Sequence, residues 1–367
     1  MMDRLRTLTH ELMLIPGLSG YEGRVRRHIA ARLDELGLAW RTDRLGNLIA
    51  TIEGNSAAPR VMLFAHMDQL GFVVRKIEQN GLIRVERLGG VPEKALPSLP
   101  VLFCIGEGRD RPGLIANKSH HATTAEEKYR VLPYAELYID AGLESADAVR
   151  AAGIEIGAPV VYEPKVLDLG PHRIAGTSVD DRAGCAVVLE AARALLSAAE
   201  RPTVSLVFSV QEEFNLRGAM AAAYSLSPDI AIQLDLMLAT DTPDMAARGE
   251  CTLGGGAAMA MYSFHGRGTL NGTIPHPALV ELFSQTAAVA STPLQRSAHV
   301  GALTDSSYVQ GLKEGVACID LGFPTRYTHS ALEVCDLRDL EALTKLVVNG
   351  LCRISAGFSL DRDRYIK

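Results

Sequence analysis

Two adjacent carboxylates, Glu212 and Glu213, follow an apolar run at residues 204–210. Neighbouring negative charges at the end of a buried strand repel each other and are poorly solvated unless cations or hydrogen-bond donors lie nearby. One carboxylate could bind a metal ion while the other acts as a base toward an attacking water. A solvated loop after the strand is the alternative for this pair taken alone.

His66 and Asp68 alternate with Met67 directly after the apolar run at residues 60–65. Side chains two positions apart on an extended strand point in the same direction. A metal-binding imidazole usually donates its other ring N–H to a carboxylate, and Asp68 could fill that role for His66. A solvated strand end is the alternative interpretation.

Three more residues could join this chemistry. Asp235 lies in a largely apolar run at residues 232–238, where a buried carboxylate requires a cation or several donors. Asp180 could bind an ion or cap the helix that follows it, and the two roles would use different oxygens. His329 lies in a polar loop, where a surface position is the alternative to a ligand. Asp241 is predicted to be a turn residue.

This set offers nitrogen and oxygen ligands, which suit zinc or cobalt, with manganese as a further option. The six cysteines are scattered without a CxxC pair and are predicted to be reduced and buried. Two histidines and at least three carboxylates exceed the three protein ligands of one catalytic zinc ion. The surplus predicts two divalent metal ions bridged by a carboxylate.

Strands and helices must bring these side chains together. Apolar runs at residues 60–65, 204–210, 230–238 and 316–321 are typical of strands, and helical patterns cover residues 182–199 and 337–354. This alternation predicts an α/β fold with a mostly parallel central sheet and helices on both faces. Ligands bind beyond the carboxyl ends of the strands in such sheets, where the candidate residues lie.

The pattern changes between residues 71 and 164, where short β-like stretches alternate with glycine, proline and asparagine. We therefore predict an inserted β-rich domain at 71–164. Residues 1–70 and 165–367 then form the α/β catalytic domain.

The composition is that of an ordinary globular protein, with 47% hydrophobic and 22% charged residues. A net charge of -6 without a long Lys/Arg run argues against nucleic-acid or membrane-surface partners. The chain opens on an amphipathic helical pattern, and no apolar run reaches membrane-spanning length. These features predict a cytoplasmic protein.

In their order and spacing, these motifs resemble the M42 family of metallo-aminopeptidases, and the resemblance covers the whole chain. The matching segments are residues 15–22 (IPGLSGYE), 66–72 (HMDQLGF), 180–184 (DDRAG), 211–213 (QEE), 217–219 (RGA), Asp235 and 326–330 (RYTHS). This sequence differs from the usual family pattern at Gln69, where an acidic residue is common, and at Asp244, where glycine is common. Neither position is an implied ligand.

The resemblance also implies a role for each candidate residue. The implied metal ligands are His66 and Asp235 for one ion, Glu213 and His329 for the other, and Asp180 as the bridge. Asp68 is implied to orient His66, and Glu212 to act as the general base. The implied reaction is hydrolysis of the N-terminal peptide bond of short peptides, by a water that bridges the ions and that Glu212 activates.

The resemblance further implies that the β-rich insertion is a dimerisation domain and that subunits assemble into dimers and dodecamers. We expect the substrate pocket to include parts of residues 254–265 and the segment around Thr304 and Asp305. His120 and His121, in the insertion, could reach a neighbouring subunit's site but are interpreted as surface histidines.

Two other functions use the same residues. A related metallohydrolase acting as a carboxypeptidase or deacylase would need the same ligand types. A catalytically inactive homologue serving as an assembly scaffold would be expected to lack a ligand, whereas all the implied ligands are present in this sequence.

Overall fold

The computed structural model describes residues 1–266 and 270–365. Its α-helices are α1 (Met2–Met13), α2 (Gly23–Glu35), α3 (Ala146–Ala151), α4 (Val179–Leu196), α5 (Gly218–Leu226), α6 (Pro277–Val289), α7 (Ser306–Val309) and α8 (Leu337–Leu351). Its strands are β1 (Trp40–Thr42), β2 (Leu48–Ile52), β3 (Val61–His66), β4 (Gly71–Ile77), β5 (Ile83–Leu88), β6 (Pro100–Phe103), β7 (Arg111–Ile115), β8 (Ile139–Asp140), β9 (Pro159–Tyr162), β10 (Val166–Leu169), β11 (Arg173–Gly176), β12 (Val204–Ser209), β13 (Ile230–Leu238), β14 (Ala257–Phe264), β15 (Gly272–Thr273), β16 (Leu294–Val300), β17 (Ala317–Thr325) and β18 (Glu333–Asp336).

A mixed sheet forms the centre of the larger unit. Its strand order within the described residues is β1-β2-β12-β3-β13-β17-β14-β15, and β16 pairs with β14. The four central strands β12, β3, β13 and β17 are parallel to one another. The prediction of a mostly parallel sheet is wrong outside this centre, because β2 and β14 run antiparallel to their central neighbours. Parallel neighbours require a crossover connection, usually a helix, whereas antiparallel neighbours can be joined directly. The strands β1 and β2, at one edge of the sheet, are joined directly, without a helix between them.

Helices cover both faces of this sheet, as the sequence predicts. In the buried strand β3, Leu63 belongs to the core that includes residues of α1, α4 and α8, whereas Phe64 belongs to a smaller core with residues of α5. Successive strand residues point to opposite faces, so an apolar strand of this kind needs a packing layer on each side. Among the described helices, none is long and apolar enough to cross a membrane.

The strands β4 to β9 form a separate closed barrel in the order β4-β5-β8-β7-β6-β9. Its own hydrophobic core includes Phe72, Val85, Phe103 and Val160. The barrel strands begin at Gly71, five residues after the end of β3, and end at Tyr162. The inserted segment is therefore β-rich, and its first strand begins only a few residues after the candidate site residues His66 and Asp68.

Candidate active site

The five implied ligands form two groups that share Asp180. Ligand atoms of His66, Asp180 and Asp235 all lie within 4.8 Å of one another. The same limit of 4.8 Å holds for Asp180, Glu213 and His329. His66 ends β3 and Glu213 follows β12, so the parallel strands deliver these residues to one edge of the sheet. The structure thus brings all five candidates together.

The first group, His66 with Asp180 and Asp235, is buried. His66 Nε2 lies 2.9 Å from Asp180 Oδ1. Asp235 accepts hydrogen bonds from Gln233 Nε2 at 3.0 Å and from the Leu236 backbone N–H at 2.6 Å. The hydrogen-bond donors that a buried carboxylate needs are therefore present for Asp235, and they hold its side chain toward His66 and Asp180.

The second group contains Glu213 and His329, which are partly exposed, together with Asp180. His329 Nε2 lies 3.5 Å from Asp180 Oδ2 and 3.8 Å from Glu213 Oε2. His329 Nδ1 lies 2.8 Å from the carbonyl oxygen of Gly90. A proton on Nδ1 satisfies that carbonyl and leaves the Nε2 lone pair directed at the carboxylates, as a cation ligand requires.

The electrostatics of the two groups fit bound cations. Burial raises the pKa of Asp235 well above its usual range and that of Glu213 to about 7. Glu213 Oε1 is buried and accepts no hydrogen bond within the described residues. Crowded, buried carboxylates are expensive unless cations compensate them. Imidazole nitrogens and carboxylate oxygens suit zinc, cobalt or manganese, so these residues fit such ions.

Asp68 contacts the Glu212–Glu213 segment and Ser19 as well as His66. Its two carboxylate oxygens accept the backbone N–H groups of Glu212 and Glu213, each at 3.0 Å, and Ser19 donates its hydroxyl proton to Asp68. His66 Nδ1 is 3.4 Å from Asp68 Oδ1, within ion-pair range but without hydrogen-bond geometry. Burial alone would raise the pKa of Asp68, but His66 and these donors lower it. Asp68 therefore fixes the Glu212–Glu213 segment relative to His66.

Glu212 lies in the wall of the same cavity as both groups. Burial, with the charges of Glu213 and Asp305 adding to it, raises the pKa of Glu212 well above its usual range. The Glu212 side chain belongs to neither ligand group. A buried carboxylate beside the groups, with a raised pKa, has the properties of a general base.

Asp180 does not cap the following helix; Asp181 does. Asp181 Oδ1 accepts the Gly184 backbone N–H at 3.1 Å, and its Oδ2 accepts that of His66 at 3.2 Å. A cis peptide bond joins Asp180 to Asp181, and both residues have non-helical backbone angles. The capping alternative therefore applies to the neighbouring residue, and the carboxylate of Asp180 faces both histidines.

Glu333 is a site residue that sequence reasoning missed. Its Oε2 accepts the backbone N–H of Asp180 at 2.9 Å, and its Oε1 accepts that of His329 at 2.7 Å. Burial raises the pKa of Glu333 to about 8. The available signal was an acidic residue at the start of the short strand β18, only four residues after His329.

Several residues that the sequence analysis singled out lie outside the two ligand groups. Asp241 pairs with Arg326 through two contacts of 2.7 Å, so it is more than a turn residue. Gln69 accepts hydrogen bonds from Gly17 and from the buried Arg182, and Asp244 is exposed. Both departures from the family pattern thus lie outside the ligand groups. His120 and His121 are exposed on this chain.

A cavity of about 400 Å³ opens onto both ligand groups. From the segments predicted to form the pocket, it is lined by Ala260, Ser263, His265 and Thr304. Among the described residues, the glycine triplet 254–256 does not line it. Gly254 and Gly256 instead donate their backbone N–H groups to Asp339 at 2.8 and 2.7 Å.

Comparison with known proteins agrees with this geometry. The family model described as M42 glutamyl aminopeptidase matches residues 46–346. An Escherichia coli protein described as a candidate aminopeptidase is 37% identical over 326 residues, covering 88% of this chain and 87% of its own. The lysyl aminopeptidase of Pyrococcus furiosus is 31% identical over 344 residues, covering 92% and 94%.

Solved structures give the same result. An aminopeptidase from the archaeon Desulfurococcus kamchatkensis superposes with a TM-score of 0.91 at 31% identity, covering 98% of this chain and 97% of its own. The TET1 peptidase of Pyrococcus horikoshii superposes with a TM-score of 0.83 at 26% identity, covering 96% and 99%. This chain therefore belongs to the M42 peptidase family and is a metal-dependent aminopeptidase.

Proposed function

We propose that this aminopeptidase removes N-terminal residues from short peptides with two divalent ions, zinc or cobalt and alternatively manganese. His66 and Asp235 would hold one ion, Glu213 and His329 the other, and Asp180 would bridge them. The observation that carries this proposal is the membership of Asp180 in both ligand groups, each within 4.8 Å. When bound, the ions would polarise the scissile carbonyl and increase the acidity of the attacking water.

Glu212 is the proposed general base. Its raised pKa favours accepting a proton from the attacking water, and the same carboxyl can then pass that proton to the leaving amine. Asp68 is the proposed positioning residue, because it holds the backbone of Glu212 and faces His66. The lowered pKa of Asp68 keeps it ionised as an acceptor while Glu212 exchanges protons.

We further propose that the segment 71–164 is a dimerisation domain and that subunits assemble into dimers and dodecamers. The barrel exposes large side chains in its connecting segments, with Tyr129 83% exposed and Val131 53% exposed. The P. horikoshii TET1 peptidase is described as assembling into a tetrahedron or a large octahedral shell, which supports the proposal that this chain also forms large assemblies. Native mass spectrometry of the purified protein tests this assembly, and a monomer at micromolar concentration would contradict it.

Glu212→Gln is the experiment that tests the reaction. Glutamine preserves the shape but cannot take the proton, so hydrolysis of aminoacyl-anilides should fall by about 10²- to 10⁴-fold. Metal content, measured by mass spectrometry, should stay at the wild-type level. Glu213→Gln is the matched control, because it should lower the metal content as well as the rate.

Near wild-type turnover by Glu212→Gln would show that the base is another group. N-acylated peptides should be poor substrates beside free-amine peptides, since an aminopeptidase acts on a free N-terminus. Preference for the N-acylated peptides would favour the deacylase alternative.

A further inference from the structure

Asp320 is a buried carboxylate in the wall of the active-site cavity, and neither ligand group includes it. The residue lies on β17 and is only 1% exposed. Its Oδ2 accepts a hydrogen bond from Thr304 Oγ1 at 2.8 Å. Its Oδ1 is also buried, and no donor of the described residues lies within hydrogen-bond distance of it. Burial raises the pKa of Asp320, while the nearby hydroxyls of Ser306 and Thr304 lower it. Among the described residues, hydroxyl groups therefore approach this buried carboxylate, but no cationic side chain does.

The register of the sheet places Asp320 relative to the first ligand group. In the parallel pair β13–β17, Asp320 lies beside Gln233, and Gly322 lies beside Asp235. Side chains at paired positions share a face, so Asp320 lies on the face of Asp235, about 7 Å farther from the strand ends. Gln233 connects the two regions, because it donates to Asp235 and accepts the Ser306 backbone N–H at 2.7 Å.

The cavity has apolar walls between its polar ends, including Leu238, Ala260 and Leu303. Two imidazoles also line it, those of His265 and His299. Burial and the nearby charge of Arg248 lower the pKa of His299, which therefore favours its neutral form and does not neutralise Asp320. No lysine or arginine among residues 1–266 and 270–365 forms an ion pair with Asp320.

We infer that Asp320 is a specificity-determining residue that binds the cationic side chain of an N-terminal lysine or arginine. This inference rests on the proposed function, since it requires the substrate's N-terminal residue to occupy this cavity. A lysine side chain has a flexible four-carbon stem for the apolar walls and an ammonium group for the Asp320 carboxylate, which has no cationic partner among the described residues. A glutamate side chain would place a second negative charge beside Asp320 and would be rejected.

The test compares lysine with norleucine, which has the same length of stem without the charge. Wild-type protein, reconstituted with metal, should hydrolyse lysyl-anilide with a kcat/KM at least about tenfold above that for norleucyl-anilide. Asp320→Asn should lower kcat/KM for lysyl- and arginyl-anilide by at least about tenfold, mainly through KM. Norleucyl-anilide should stay within about twofold, which also shows that the variant is folded.

Asp305→Asn is the matched control. Asp305 is another buried aspartate with an unpartnered oxygen, but it does not line the cavity. Its replacement could change the overall rate, but it should preserve the ratio of lysine to norleucine turnover. A binding measurement adds a readout independent of turnover: by calorimetry, free L-lysine should bind wild-type protein more tightly than Asp320→Asn does, and L-norleucine should bind both equally.

Equal wild-type turnover of lysine and norleucine would overturn the inference and leave the proposed function intact. A lysine preference that survives Asp320→Asn, or disappears equally in Asp305→Asn, would also overturn it. If no aminoacyl-anilide is hydrolysed after metal addition, the proposed function fails, and this inference fails with it.

Discussion

The two ligand groups share Asp180 but differ in burial and in the elements that hold them. His66 and Asp235 lie on β3 and β13 in the parallel centre of the sheet, and their group is buried. Glu213 and His329 lie on connecting segments and are partly exposed. His329 also has a positive φ of 66°, an uncommon conformation for a residue with a side chain.

The position of His329 in the second group therefore depends on contacts from other segments of the chain. His329 Nδ1 contacts the carbonyl oxygen of Gly90, in the barrel segment, and the backbone N–H of His329 donates a hydrogen bond to Glu333. Ligands on rigid strands keep their geometry, whereas ligands on loops depend on such supports. We expect the first group to hold its ion more tightly and the second to exchange its ion more readily.

Replacing the shared residue should have the largest effect. Asp180→Asn removes a negative ligand from both groups, so metal content should fall at both and activity should decrease by about 1000-fold or more. Metal analysis after gel filtration and aminoacyl-anilide kinetics measure the two effects. Asp147→Asn, at a fully exposed aspartate, is the control and should retain both properties. Loss of only one ion would show that Asp180 does not bridge.

Acidification should release metal from the second group, because His329 must lose a proton before it can bind an ion. Burial alone would lower the pKa of His329, but the charges of Glu213 and Asp180 raise it to about 9 in the metal-free protein. Metal binding must displace this proton at any pH below about 9, so affinity falls as the pH decreases and levels off above that value. The expected slope is about tenfold per pH unit for each displaced proton.

Metal retained after equilibration at a series of pH values measures this slope. Calorimetry in two buffers with different ionisation enthalpies counts the protons released. Metal affinity that does not change between neutral and mildly acidic pH would contradict the assignment of His329 as a ligand.

The sequence identifies the five candidate ligands that the structure brings together, but not the residues that orient them. His66, Glu213, Asp235 and His329 stand out because they lie in or after apolar runs, and Asp180 stands out because a helical pattern follows it. These signals are local. Glu333 acts through two backbone N–H groups, one of them on a residue 153 positions away. Nothing in the local pattern shows such a contact, since it exists only after β11, β18 and α4 come together.

The same limit explains the errors in the fold. Apolar runs predict which segments are strands, and β3, β12, β13 and β17 lie where the sequence places them. The direction of β14 beside β17 depends on a tertiary pairing that has no local signature. The sequence also leaves the helix cap open, since Asp180 and Asp181 both have the side chain that a cap requires, and only the structure shows that Asp181 is the cap.

Glu333→Gln should have an intermediate effect. Glutamine keeps one acceptor oxygen, so only one of the backbone groups of Asp180 and His329 can keep its partner. We expect metal affinity and activity to fall by about 10- to 100-fold, with the second ion more affected than the first. Titration of the metal-free variant measures both affinities. Glu341→Gln, at a partly exposed glutamate of α8 that pairs with Lys345, is the control. Unchanged affinity would mean that Asp180 and His329 are held adequately by other contacts.

Gly90→Ala should have the smallest effect and tests the link between barrel and site. A Cβ atom at Gly90 would lie 3.1 Å from His329 Nδ1, so the ring must shift by a few tenths of an ångström. The shift should weaken binding of the second ion by a few-fold and leave the first unchanged, because the described atoms within 4 Å of the added Cβ all belong to His329. Gly108→Ala, at a barrel glycine with no neighbour within 4 Å, is the matched control, although its positive φ of 74° will cost some stability. Equal weakening of both ions by Gly90→Ala would show that the two groups are coupled through Asp180 more strongly than their separate supports suggest.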